Sequence, residues 1–129
     1  MGSAKYSGLD RAIIIQAAAR AMHEANRAVC IALGDNSQPA WENAPQDSVD
    51  STMRQIMGIL SGETTPEQSH NTWMQGKLDA GWKLGPVKDD EKKEHPDLKP
   101  YNELSPATRA KDAVVVGVAK TVFDALSAV

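Results

Sequence analysis

The stretch HNTWMQGKLDAGWKLGPVKDDEKKEHPDLKPYNEL, residues 70–104, decides how this chain is read. It gathers two tryptophans, two histidines, three prolines, six lysines and three glycines, a mixture that a plain amphipathic repeat does not need. Just before it stands Thr65-Pro66-Glu67-Gln68, where Thr65 can cap a helix, Pro66 suits its first position and Gln68 completes a capping box. The helix so started carries His70, Trp73, Lys77 and Leu78 and stops at Gly81, which takes a left-handed conformation. Trp82 to His95 then holds Gly85-Pro86 and a charge run, which predicts a loop or a short hairpin.

Working outward, Ser105-Pro106 opens a last helix whose inner stripe is Val115, Ala119, Val122 and Leu126. The valine run 114–116 is β-prone, but the helical period continues past it. On the other side, residues 47–61 form a helix with Val49, Met53, Ile56 and Leu60 on one face and Gly62 beyond. Residues 9–33 form the first helix, with Ile14, Ala18, Ala21, Ala25, Val29 and Leu33 inward and Gly34 as its stop. Arg20, His23, Glu24 and Arg27 make its polar stripe, and Asp35–Gln46 is a loop holding Trp41. The expected fold is mainly α: a compact bundle of about four helices.

Length and charge bound the function. The chain's 129 residues suit one domain with a modest core, and 41% hydrophobic content excludes wholesale disorder. A net charge of −3 argues against duplex nucleic acid as partner, although a local basic patch can hold a small anion. The lone Cys30 cannot form an internal disulfide and is expected as a small core residue in a reducing compartment. The start shows no leader pattern, and Met1-Gly2 lacks the Ser or Thr at the sixth position that myristoylation expects, which here is Tyr6. No apolar run reaches the roughly 18 residues of a membrane span. A cytoplasmic protein without membrane contact is the expectation.

An internal repeat is suggested. His23-Glu24-Ala25-Asn26 stands beside His70-Asn71-Thr72-Trp73, and Pro39-Ala40-Trp41-Glu42 beside Pro100-Tyr101-Asn102-Glu103. Each pair leads into a helix with a proline near its start, Pro45 or Pro106. The chain then divides into two helix–loop–helix halves, 9–62 and 65–128, within a single domain 1–129.

Several elements of the opening stretch come in fixed order: His70-x-x-Trp73, Gly81-Trp82-x-x-Gly85-Pro86, Asp89, Lys92, His95-Pro96-x-Leu98 and Pro100-Tyr101-x-x-Leu104. In this the chain resembles the ryanodine receptor repeat domain over about residues 66–126, and its first half resembles the stand-alone prokaryotic and phage form. The first half departs from the repeat by lacking a Gly-Trp-x-x-Gly-Pro loop. The resemblance implies a mainly helical fold in which two repeats pack about a pseudo-two-fold axis. It implies that an adenine nucleotide can sit between repeats, stacked on Trp73, with Lys77 as the basic residue one turn later. Asn26 stands where a second tryptophan would be, so no two-tryptophan sandwich forms from one chain.

Each candidate has a plainer reading beside the functional one. Trp73 is either a core residue or an indole stacking a base, worth about 1–3 kcal/mol. Lys77 is either a solvated stem or a phosphate contact. Trp82 plugs its loop or touches a ligand. Asn26 is a structural hydrogen-bonder or a base reader. The run Asp89–Glu94 is a solvated surface, with Lys92, Lys93 and His95 able to rim an anion pocket. His23 belongs to a polar stripe, because Arg27 stands where a metalloprotease helix needs a second histidine. No constellation local in sequence suggests catalysis, a metal or a cofactor.

The function expected is non-enzymatic binding of a nucleotide or nucleotide-derived signal: an adenine nucleotide, an ADP-ribose derivative or a cyclic nucleotide. The ligand-binding residues are then Trp73, Lys77, His70, Asn26, Arg27, His23, Trp82, Lys92, Lys93 and His95. By analogy a phage-encoded member would sequester a host defence messenger in the host cytoplasm. The alternative is a protein-interaction module presenting exposed Trp41, Trp82 and Met74. A homo-oligomer pairing two Trp73 rings is a third reading.

Overall fold

The computed structural model describes residues 9–129; the chain start, with Met1-Gly2 and Tyr6, lies outside the described residues. The fold is mainly helical: α1 (Arg11–Ala32), α2 (Gln46–Leu60), α3 (Pro66–Asp79) and α4 (Pro106–Ser127). Short 3-10 turns at Trp41–Asn43 and Tyr101–Glu103 precede α2 and α4.

The helix boundaries follow from local chemistry. Asp10 caps α1 by accepting the Ala12 N–H at 2.7 Å. The capping box at α3 forms in full: Thr65 Oγ1 accepts the Gln68 N–H at 3.2 Å, and Gln68 Oε1 accepts the Thr65 N–H at 3.1 Å. Ser105 Oγ caps α4 through the Thr108 N–H at 3.2 Å. The first three helices end alike, on Gly34, Gly62 and Gly81 with φ of 92°, 102° and 90°. After each, the next residue's N–H reaches back to a carbonyl of the last turn: Asp35 to Cys30, Glu63 to Gly58, Trp82 to Lys77. Helix ends are therefore written in single residues.

The core is built by Ala18, Ala19 and Met22 of α1, Ile56 and Ile59 of α2, and Val115, Val116 and Ala119 of α4. Small residues let α1 lie close against α4, and both Ala18 and Ala19 have no exposed surface. Cys30 is buried as a free thiol. The buried face of α1 is rotated from the predicted one. Ala21, Ala25 and Val29 are half-buried and Leu33 is 60% exposed, while Ala19, Met22 and His23 turn inward. The reason is His23, expected on a polar stripe but buried, because its ring bonds a loop carbonyl. On α2 and α4 the predicted stripes hold, with Ile59, Thr52 and Val116 added to them.

Between α3 and α4, β1 (Lys83–Leu84) pairs with β2 (Glu94–His95) in parallel, where a hairpin would be antiparallel. The intervening chain doubles back, and a separate bridge joins Asp89 to Glu94 in antiparallel sense. Gly85 makes this possible, since a Cβ there would overlap the Glu94 side chain. Lys93 takes the left-handed backbone, φ 53°, to complete the turn.

Candidate functional site

Two histidines hold the two loops in the same way. His23 Nε2–H donates to the Pro39 carbonyl at 2.7 Å, and His70 Nε2–H donates to the Lys99 carbonyl at 2.8 Å. Carbonyls only accept, so the ε nitrogen carries the proton in both rings. Each histidine also touches the aromatic residue of the following turn: His23 and Trp41 lie 5.5 Å apart by ring centroids, His70 and Tyr101 6.0 Å. The correspondence pairs Trp41 with Tyr101 and Pro39 with Lys99, one residue away from pairing the prolines at 39 and 100.

A cleft of about 160 Å³, partly open to solvent, lies among the four helices. All four helices contribute to it. From α1 come Met22, His23 and Asn26; from α3 come His70, Trp73 and Lys77. The first turns of α2 present Ser48, Ser51, Thr52 and Gln55, and those of α4 present Thr108, Lys111, Asp112 and Val115 at the same spacing. Gln38, Lys88, His95 and Asp97 close the rim from the loops. The cleft lies within one chain.

Trp73 is half-buried at its wall, with His70 at 5.6 Å and His95 at 4.9 Å, the latter edge-on. The ring is neither swallowed by the core nor left on the surface. Asn26, the residue matched to Trp73, borders the same space from the other half.

The electrostatics are uneven. Lys77, Lys88 and Lys111 converge, and among the described residues none of the three forms an ion pair. Lys77 is partly desolvated, which pulls its pKa down; Lys88 adds to that and Asp47 and Asp90 oppose it. Its ammonium rests 4.4 Å from the centre of the Trp82 ring, a cation–π contact. His95 accepts the Asp97 N–H on Nδ1 at 3.0 Å. Burial, with Lys88, Lys111 and Lys77 and against Asp97, lowers its pKa to about 4. The ring is therefore neutral at pH 7 and carries its proton on Nε2. Asp112 behaves oppositely: burial raises its pKa to about 6, although His70 and Lys111 pull it down.

The residues singled out in sequence divide. His23, Asn26, His70, Trp73, Lys77 and His95 line the cleft. Arg27, Trp82, Lys92 and Lys93 do not. Arg27 pairs with Glu24 at 3.2 Å and donates to the Gln38 carbonyl at 3.3 Å. Trp82, 8% exposed, plugs its loop beneath Lys77. Lys93 spends its ammonium on the Ala80 carbonyl at the end of α3, 3.0 Å away. Lys92 is exposed on the outer turn. Trp41 packs on the core and Glu24 accepts its backbone N–H at 2.8 Å, so neither it nor Trp82 is an exposed docking aromatic. The sequence reading passed over Lys88, Lys111, Asp97, Asp112 and the polar residues of α2. For Lys111, Asp112 and the α2 residues the signal was a polar stripe at steps of three and four, Ser48-Ser51-Thr52-Gln55, echoed by Thr108-Lys111-Asp112; Lys88 and Asp97 carried no such signal.

The fold and cleft define a small helical domain whose groove, at the meeting of its four helices, is lined by Trp73, three lysines and two aspartates. The RyR domain family model matches residues 44–124, more than half the chain, and the protein belongs to that family. The match begins just before α2, well ahead of the motif-rich stretch, and crosses the boundary expected at 62–65. No solved structure matches the chain. No helix among the described residues is long and apolar enough to cross a membrane.

Proposed function

We propose that this protein is a binding domain, without catalysis, for a nucleotide or nucleotide-derived signalling molecule. The observation that carries the reading is one indole, Trp73, bordering a cleft in which three lysines lack carboxylate partners. A base has a π-face for the indole, and its phosphates answer the lysines as point charges. Lys77, without an ion-pair partner and partly out of water, is in a poor arrangement unless an anion joins it. At about 160 Å³ the cleft is smaller than the roughly 300–1,000 Å³ of sites for drug-sized ligands. It takes one ring system, and the phosphates sit at the mouth beside Lys88, which is exposed.

This reading includes adenine nucleotides, ADP-ribose derivatives and cyclic nucleotides, in a reducing cytoplasm. A phage-encoded copy would act by sequestering such a molecule. The cleft needs only one chain, so association of two chains is not required for it. Thermal unfolding with millimolar AMP, ADP-ribose and cyclic AMP tests the proposal. The melting temperature of the wild type rises with at least one of them, and Trp73→Ala abolishes the rise. No shift with any nucleotide, alongside a partner captured equally by wild type and Trp73→Ala, would replace it with a protein-interaction role.

A further inference from the structure

A second cavity, of about 210 Å³, adjoins the cleft at Ser51 and Lys77, which line both. On α2 its wall is Asp47, Asp50 and Arg54. Each of these precedes by one a residue of the first cleft, Ser48, Ser51 or Gln55, so they form the neighbouring strip of the same helix. On α3 its wall is Gly76 and Ala80, three and seven residues beyond Trp73. At a rise of 1.5 Å per residue, this cavity runs from about 5 Å to about 10 Å along the helix axis from Trp73. The Lys77 ammonium marks the junction, since the Trp82 ring beneath it lines the second cavity.

The polar groups here are accessible and only partly used. Asp47, Asp50 and Arg54 are all exposed. Asp50 Oδ1 accepts from Gln46 Nε2 at 2.8 Å and Asp47 Oδ1 accepts the Ser48 N–H at 3.0 Å, which leaves the second oxygen of each carboxylate to other donors. Arg54 forms no ion pair among the described residues. Its guanidinium lies against α3 because residue 76 is glycine: a Cβ there would come within 3.1 Å of Arg54 Nε. Two carboxylates are thus set against one guanidinium and one ammonium, strong acceptors among strong donors with no excess of either charge. The carbonyl end of α3, at Ala80, adds negative potential on one side. An anion gains little in such a place. A polyol suits it, because each hydroxyl donates to a carboxylate and accepts from a cation.

We infer that the second cavity is a sugar subsite, and that the ligand is a nucleoside diphosphate carrying a second sugar. The nucleoside occupies the first cleft, the diphosphate crosses at Lys77, and the distal ribose lies among Asp47, Asp50 and Arg54. This rests on the nucleotide reading above and narrows it to one class of nucleotide. Cavities of about 160 and about 210 Å³ are each small for a ligand, and joined they reach the lower end of the roughly 300–1,000 Å³ range of small-molecule sites. A mononucleotide or a cyclic mononucleotide has no group to place beyond Lys77.

The experiment is isothermal titration of the full chain with ADP-ribose and with ADP, which lacks only the distal ribose. The wild type binds ADP-ribose on the order of tenfold more tightly, the ratio that one hydrogen bond to a charged group supplies. Replacing both carboxylates, Asp47→Ala with Asp50→Ala, brings the two affinities to within about twofold. Ala80→Phe fills the cavity from the other helix and removes the preference by bulk, so the result does not hang on one pair of substitutions. A melting curve of each variant shows that it is folded. Equal binding of ADP and ADP-ribose by the wild type overturns the inference while leaving nucleotide binding intact. So does a preference that survives in both variants, and so does a folded variant that loses ADP and ADP-ribose alike. Failure of the wild type to bind either nucleotide removes the proposed function and this inference with it.

Discussion

Acid should weaken this fold through one imidazole. His95 sits at the cleft rim with its Nδ1 occupied by the Asp97 N–H at 3.0 Å, and its pKa falls from 6.5 to about 4. Burial is the main cause, reinforced by Lys88, Lys111 and Lys77 and partly offset by Asp97. The sign follows from which state holds the proton. Below pH 6.5 the unfolded chain protonates its histidine and the folded chain does not, so stability is lost as pH falls from 6.5 toward 4. The full shift, at about 1.4 kcal/mol per pH unit, corresponds to about 3 kcal/mol at most. Because the ring is partly solvated, about 1–2 kcal/mol lost between pH 7 and pH 5 is the working figure. His95→Gln keeps an acceptor for Asp97 and cannot titrate. Urea unfolding of both proteins at pH 7 and pH 5 isolates the effect, since Asp112 and the other groups are common to both. The wild type should lose about 1–2 kcal/mol more than the variant. Equal losses, or a larger loss in the variant, would refute the argument that this ring is held neutral.

Three further outcomes follow from particular contacts. Asp112 works in the opposite sense: its folded pKa, about 6, lies above the ordinary 3.8, so its penalty is present at pH 7 and relieved as pH falls through 6. Asp112→Leu should therefore stabilise the ligand-free protein at pH 7 by about 1–3 kcal/mol and much less at pH 4, as read by chemical denaturation. Gly81→Ala forces a side chain into φ 90° and should lower stability by about 1 kcal/mol or more, visible as a drop in melting temperature. His70→Ala leaves the Lys99 carbonyl without its donor and should cost about 2–4 kcal/mol, with the Tyr101 turn losing amide-exchange protection first.

Much of the architecture was legible because it is local. Thr65, Ser105, Gly34, Gly62 and Gly81 mark helix ends by their own backbone chemistry, and the helices begin and stop within a residue or two of where these residues place them. The buried face of α1 was less legible. His23 looks polar in sequence and is buried because a partner sixteen residues on, Pro39, offers a carbonyl. The parallel pairing of β1 with β2 depends on a turn through Lys93 that residue preferences disfavour. At the cleft, the aromatic and histidine positions on α3 could be read from spacing. The cations could not be sorted by sequence: Lys92 and Lys93 sit in the conspicuous charge run and do not line the cleft, while Lys88, at the start of that run, and Lys111 do. Which of Lys88, Lys92 and Lys93 lines the cleft is set by the path of the chain between Leu84 and Glu94.

The central claim is that a base docks against the indole at position 73, and the tryptophan side-chain signals test it most directly. Trp41, Trp73 and Trp82 each give one indole N–H resonance, and Trp73→Phe assigns the one that matters. Titration with AMP should move the Trp73 resonance first and furthest, Trp82 less through Lys77, and Trp41 least. A titration that leaves the Trp73 signal in place, whether nothing shifts or only Trp41 and Trp82 do, would contradict the account.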